Sequence, residues 1–506
     1  MDQELALAIL MSGRSALLTG AAGTGKTHLL NTFIMQARDQ GKKVSVTATT
    51  GLAATHLGGN TIHSWSGIGV SDHLANNFFD RLSKTRREVI TKTDVLVIDE
   101  ISMLHDFRLD MVDRVLRGVR ENDQPFGGVQ LVMSGDFFQL PPINRPGEQS
   151  GGFVVYSEAW QELQPAVLYL ERQYRQNDEQ LLEILTALRN DDIRRHHAET
   201  LLARTEVELP DGDITELHTV NVDVDAINSQ KLAELAGEER AYQQTTTGSK
   251  VYVESLQRSV LAPSELVLKL GALVMAVKNS PQKLYANGSI GTVVDFEPLT
   301  DYPIVEFRNG QQVTMVPDVW ELRDGERKRA SISQVPLRLA WAITVHKSQG
   351  MTLDAAKIDL RKAFVEGMGY VALSRVRDLD NLYLYGINRK ALAVSPDALA
   401  IDEVLQRASS EAAKHYRPML EEMKRKQSTP KKSGKSGNWR QKIAKMRETH
   451  PKAYMPWEKA DDDTLKQEFL QGATIQQLSQ KLGRHEGSIK MRLQKHFGEE
   501  VIGLFE

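Results

Sequence analysis

The stretch Gly20-Ala21-Ala22-Gly23-Thr24-Gly25-Lys26-Thr27 constrains this chain more than any other. It follows the strand-like run Ala16-Leu17-Leu18-Thr19 and opens a helical pattern carrying Leu29, Leu30, Phe33, Ile34 and Ala37. G-x-x-x-x-G-K-[ST] between a strand and a helix is the signature of a phosphate-binding loop. Its glycines let backbone N–H groups turn inward around phosphate oxygens, and the helix N-terminus adds a favourable dipole. In such a loop Lys26 reaches the β- and γ-phosphates and the Thr27 hydroxyl ligates Mg²⁺. ATP and Mg²⁺ are therefore the expected cofactors.

Residues 1–63 and 92–175 alternate short strands with amphipathic helices, the pattern of a doubly wound parallel sheet. Within it, Val95-Leu96-Val97-Ile98 runs into Asp99-Glu100 at the C-terminal edge, where ligands of open α/β sheets sit. Asp99 is the expected second Mg²⁺ ligand, and Glu100 the group that orients and deprotonates the attacking water. A further buried strand, Val129–Ser134, leads into Gly135-Asp136-Phe137-Phe138-Gln139-Leu140-Pro141-Pro142. Gln139, held between aromatics and prolines, is placed either to sense the γ-phosphate or simply to complete a turn over a packed Phe pair.

The ordered segments GAAGTGKT, TATTGLAA, THLGGNTIHSWSGIG, VLVIDEISML and GDFFQLPP resemble a superfamily-one DNA helicase, and within that group the Pif-type (petite integration frequency) helicases. The resemblance covers residues 3–395. It implies two RecA-like domains closing on ATP, with Gln3 reading adenine and Gly20, Ala22, Gly23, Thr24, Gly25, Lys26, Thr27, His28 and Gly350 lining the nucleotide. It also implies strand contacts from Thr50, Gly51, His63 and Trp65 in the first domain, and from Thr344, His346 and Lys347 in the second. Arg175, in Leu168–Gln176, matches the arginine of the family's interdomain segment. Arg375, in Tyr370–Arg377, is the second arginine facing the nucleotide. A planar guanidinium suits a transition state whose charge spreads over three γ-oxygens.

The resemblance makes residues 64–91 a small wedge insertion, with Trp65, Phe78, Phe79, Arg81, Lys84, Arg86 and Arg87 either meeting the strand or forming an ordinary amphipathic helix. The second motor domain takes residues 176–240 and 335–423. Between them, residues 241–334 change to short alternating runs punctuated by Asn287-Gly288 and Asn309-Gly310, strong hairpin signals. The resemblance makes this an SH3-like β-barrel. Residues 424–450 form a cationic linker: ten basic residues between Lys424 and Arg447, and no acid. It is either a tether or a phosphate-tracking arm. Residues 451–506 regain helical periodicity and resemble a helix-turn-helix or Myb-like module, with Lys490 and Arg492 on its third helix, for DNA or for a docked protein.

The chain has no cysteine, which excludes disulfides and Cys-ligated metal centres. Its net charge of −3 requires any nucleic-acid surface to be a local patch. There is no basic signal-peptide start and no run long enough to span a bilayer, so a cytoplasmic protein, nucleoid-associated if bacterial, is expected; a monomer is also expected. The reading is an α/β enzyme with two RecA-like domains, a wedge, a β insertion and a helical tail. It is expected to be an ATP-dependent helicase that moves 5′→3′ on single-stranded DNA and opens forked or structured DNA. Its rivals are a RecD-type recombination subunit and a nucleotide-switched DNA scaffold that does not unwind.

Overall fold

The computed structural model describes residues 1–69, 71–144, 147, 149–174, 178–209, 214–257, 260–280, 282, 284–285, 287–324, 327–428, 446–453 and 455–497. Arg175 lies outside the described residues. The chain divides into a unit of residues 1–420 and a second of residues 421–506. Among the described residues no helix is long and apolar enough to cross a membrane.

The first unit is built on a six-stranded parallel sheet of β1 (Ala16–Gly20), β2 (Val44–Ala48), β3 (Asn60–Thr61), β4 (Val95–Asp99), β5 (Gln130–Ser134) and β6 (Ala166–Leu170), in the order β3-β2-β4-β5-β1-β6. β1 pairs with β5 and β6, and β4 with β2 and β5. Parallel strands are covered on both faces, which is why Val95, Leu96, Val97 and Ile98 are all fully buried. The helix Lys26–Asp39 turns Leu29, Leu30, Phe33, Ile34 and Ala37 inward, the helical spacing of one apolar face.

A second parallel sheet orders Ala342–Thr344, Thr215–His218, Ala356–Leu360 and Leu382–Ile387. Between its first two strands in the chain lies a β-rich insertion of three antiparallel sheets. Asn309-Gly310 turns the hairpin between Pro303–Phe307 and Gln312–Thr314, with Gly310 at φ +79°. The strand Leu337–Leu339 pairs with Leu273–Ala276 of the insertion, so the insertion extends past residue 334.

Two further boundaries differ from the sequence reading. The helix Ile62–Ser66 runs across the 63/64 limit, and Trp65 joins the core of the first sheet. The helix Pro396–Ser428 continues through 423, so residues 424–428 of the expected linker are helical. Ala413, Tyr416, Met419 and Leu420 on that helix pack against the first sheet's core.

In the second unit, helices Lys459–Leu470, Ile475–Leu482 and Glu486–Phe497 enclose Leu465, Phe469, Leu478, Leu482, Ile489 and Leu493. Thr474 and Gln477 form a capping box at the second helix, and Gly483 ends it in the left-handed region at φ +60°. Arg492, on the helix expected to face DNA or a docked protein, is a strut: its Nε donates to Asp462 Oδ1 at 2.7 Å, tying the third helix to the first. Arg484 is buried under the same logic, paired with Asp461 at 2.8 Å and stacked on Trp457.

Candidate active site

At the C-terminal edge of the first sheet a cavity of about 310 Å³ is lined by Gly23, Lys26, Thr27 and His28 of the loop and by Glu100 and Gln139. Gly350 and Arg375 close it from the second sheet's side. The loop needs its glycines. At Gly20 (φ +139°) a Cβ would lie 2.4 Å from the Leu170 carbonyl oxygen, and at Gly25 (φ +83°) it would meet Gln3 Nε2 at 2.5 Å. Gln3 itself donates to Thr24 O at 3.2 Å, so it sits directly on the loop. Lys26 Nζ donates to Gly20 O and Ala21 O at 2.8 and 3.0 Å.

Glu100 follows β4 in the left-handed region, φ +53°. A non-glycine residue there is strained by about 1–3 kcal/mol and persists only where its surroundings over-determine it. Here Thr49 Oγ1 donates to the Glu100 carbonyl at 2.9 Å, and Met103 N–H donates to it at 3.2 Å. Burial and the charge of Asp99 push the Glu100 carboxyl up to about 7, against the pull of Lys26, a Gln349 hydrogen bond and Arg375. Burial also raises Asp99, opposed chiefly by a Ser134 hydrogen bond. Two adjoining carboxyls, both raised by burial beside one lysine, form an oxygen-donor pair whose charged forms a divalent cation would favour.

Arg375 is 1% exposed. Its Nε donates to Val371 O at 2.8 Å, Nη1 to Ser348 O and Met351 O, and Nη2 to Ser374 Oγ at 2.7 Å. These contacts fix the plane of the guanidinium while it lines the cavity. Tyr174, which sequence reasoning left without a role, also lines the cavity; its N–H donates to Gly23 O, and Arg172 stacks on its ring at 5.0 Å.

Behind the cavity lies a buried network that the sequence did not announce. Arg189 Nη1 donates to Asp136 Oδ1 at 2.7 Å, and Nη2 to Tyr169 OH and Asp402 Oδ1 at 2.9 and 3.2 Å. Tyr370 OH donates to Asp136 Oδ2 at 3.2 Å and accepts from the loop amide of Ala22 at 3.0 Å. Burial alone would raise the Asp136 carboxyl, but the charges of Arg189 and Lys26 outweigh it and hold it below its ordinary range. Removing one partner of a buried pair strands the other charge, at about 3–5 kcal/mol. Arg189→Met is accordingly expected to lower unfolding free energy by about that amount, read from urea titration. A loss below about 1 kcal/mol would mean that Asp136 is hydrated or protonated once unpaired.

The expected strand contacts divide. Gly51, with Asn60, Ser64, Lys278 and Trp320, lines a groove of about 330 Å³ between the first sheet's loops and the insertion. Lys278 and Trp320 were not foreseen; alternating β-runs do not say which face meets a neighbour. Thr50 caps the helix Gly51–His56, its Oγ1 accepting from Ala53 N at 3.2 Å. His63 is pushed down to about 4 by burial and the charges of Arg108 and His105, and its Nδ1 is buried without a hydrogen-bond partner. Trp65, expected to stack on a strand, is 8% exposed, and the reading is corrected: its ring fills the core. Thr344 is likewise buried, with Oγ1 accepting from Lys347 N at 3.3 Å. His346 stacks on the exposed Phe364, and burial lowers both His346 and Lys347.

Phe78 and Phe79 meet edge to face at 5.5 Å, and Phe79 packs over Gly118. Among the described residues, Glu183, His196 and His197 bring metal-ligand types together. His197 Nδ1 accepts from the Arg194 amide at 3.1 Å, so its Nε2 carries the proton and donates to Glu183 at 3.1 Å. That tautomer is a helix cap, not a ligand.

A sequence profile described as PIF1-like helicase matches residues 2–194. The ATP-dependent DNA helicase Pif1 of Psychrobacter sp. (strain PRwf-1) is 39% identical over 483 residues, covering 84% of this chain and 73% of that protein. The crystal structure of Pif1 helicase from Candida albicans superposes with a TM-score of 0.69 at 34% identity, over 80% of this chain and 98% of that one. Pif1 helicase from Bacteroides in complex with ADP-AlF3 and ssDNA gives 0.60 at 31% identity, over 81% and 97%.

Proposed function

The chain belongs to the PIF1-like helicase family and is an ATP-dependent DNA helicase; from that premise we propose that it moves 5′→3′ on single-stranded DNA and opens forked or structured duplexes. The observation that carries the reading is one cavity holding the loop, Glu100, Gln139 and Arg375 from both parallel sheets. ATP lies with its phosphates on the loop amides and Lys26, and its base near Gln3 and Tyr174. Thr27 and Asp99 would hold Mg²⁺, which would supply charge neutralisation to the phosphates. Glu100 takes the proton of the attacking water. Arg375, with Arg175, offsets charge developing on the γ-phosphoryl, and Gln139 senses that group. Gly51, His63, His346 and Lys347 hold the strand, while Thr50, Trp65 and Thr344 shape the surfaces that carry them.

Polarity is tested by strand displacement on forks carrying either a 5′ or a 3′ single-stranded tail. Unwinding is expected only with the 5′ tail; preference for the 3′ tail would overturn the direction. ATP turnover with DNA but no displacement on either fork would favour the switched scaffold.

For the tail we propose phosphate tracking by the basic segment and the three-helix module. A truncation after Ser428 keeps Met419 and Leu420 on the core. It removes seven basic residues between 431 and 447. Counterion release gives a slope of about −0.7 per phosphate contact on single strands, so the truncated chain is expected to bind more weakly, with a flatter log–log salt dependence. ATP turnover at saturating strand is expected to persist. An unchanged slope would assign the tail to a protein partner.

A further inference from the structure

Gln349 matches no part of the reading above, yet it is 7% exposed and reaches across the cleft. Its Nε2 donates to Glu100 Oε2 at 2.9 Å and to Gln139 Oε1 at 3.1 Å. An amide nitrogen carries two protons, so these two bonds commit both.

The backbone that carries Gln349 is a run of tight turns. Ser348 N–H donates to Thr344 O at 3.0 Å, Gln349 N–H to His346 O at 3.4 Å, and Met351 N–H to Ser348 O at 3.0 Å. Arg375 clamps the same turns through Ser348 O and Met351 O. His346 and Lys347 stand at one end of this stitched segment, and Gly350 lines the cleft at the other. A displacement at His346 or Lys347 is thus carried to Gln349 through a few hydrogen-bonded residues.

We propose that Gln349 is the positioning residue through which strand binding at His346 and Lys347 sets the orientation of the Glu100 carboxylate. The inference rests on the helicase reading of the cleft. With one carboxylate oxygen fixed by Gln349, the other is aimed. Because Gln139 shares the same amide, the base and the γ-phosphate sensor are set together. Gln349 touches neither water nor phosphate in this scheme; it acts through Glu100.

Gln349→Met keeps length and volume while removing both N–H donors. The strand-stimulated turnover number is expected to fall by about 10- to 100-fold, the range a small misplacement of a reacting group costs. The unstimulated rate is expected to fall by a smaller factor, so the stimulation ratio drops. The KM for ATP and the Kd for a fluorescent oligonucleotide are expected to stay within about threefold, since neither ligand loses a contact. A merely structural role would lower both rates by one factor, and that result would overturn the inference, as would an unchanged ratio. Glu100→Gln, assayed in parallel, separates the two levels. If it hydrolyses ATP normally, the reading of the cleft has failed; if it is inactive while Gln349→Met keeps the wild-type ratio, only the Gln349 inference has.

Discussion

Glu100→Gln is expected to bind ATP and not turn it over, while Lys26→Ala is expected to lose both. The amide keeps the size of the carboxylate and the left-handed backbone at residue 100, so the cavity retains its shape. What disappears is the proton acceptor. General-base contributions run at about 10²–10⁴-fold, and DNA-stimulated hydrolysis is expected to fall within or beyond that range. Lys26 acts earlier, on ground-state phosphates, so its loss weakens nucleotide binding as well. Filter binding of labelled ATP beside a phosphate-release assay separates the two. Near-normal hydrolysis by Glu100→Gln would move the base elsewhere in the cleft.

Arg375→Lys should come next in size. Lysine keeps the charge but presents a point cation in place of a planar fork. Four acceptors around the guanidinium, on Val371, Ser348, Met351 and Ser374, are matched to that fork. Losing it is expected to reduce the turnover number by about 10³-fold or more, by analogy with arginine fingers, with ATP affinity changed far less. Because Arg375 is also a buried structural clamp, a thermal melt belongs beside the kinetics. A folded variant with a mild kinetic defect would revive the switched-scaffold reading.

The phosphate loop, the acidic strand end and the two parallel sheets were legible because each is a local pattern. Loop geometry, strand burial and helix periodicity are all written in contiguous residues. The Arg189 network was not, since apart from Arg189–Tyr169 its bonds join positions 53 to 348 residues apart. Gln349 hid for the same reason: its partners stand 249 and 210 residues away. Trp65 and Arg492 show a different limit. An aromatic beside basic residues, or an arginine on a third helix, has the right chemistry for nucleic acid, but only packing reveals that the ring is buried and the cation already paired. Tyr174 carried a weak signal, an aromatic one residue before the matched Arg175.

The short junction at Ala340-Trp341 has a mechanical meaning. Ala340 N–H is bonded to Leu273 O in the insertion, and the very next residue, Trp341, accepts from Glu216 N–H in the second parallel sheet. Both residues are buried. Neighbouring peptide units stitched to two different sheets leave no slack for a hinge. Fixed to the second sheet in this way, the insertion is expected to follow any rotation of that sheet, carrying Lys278 and Trp320 with it. Those residues form one wall of the groove whose other wall includes Gly51 and Ser64. Any opening and closing of the ATP cleft is therefore expected to widen and narrow that groove, so that the two sites are geared together by the fold.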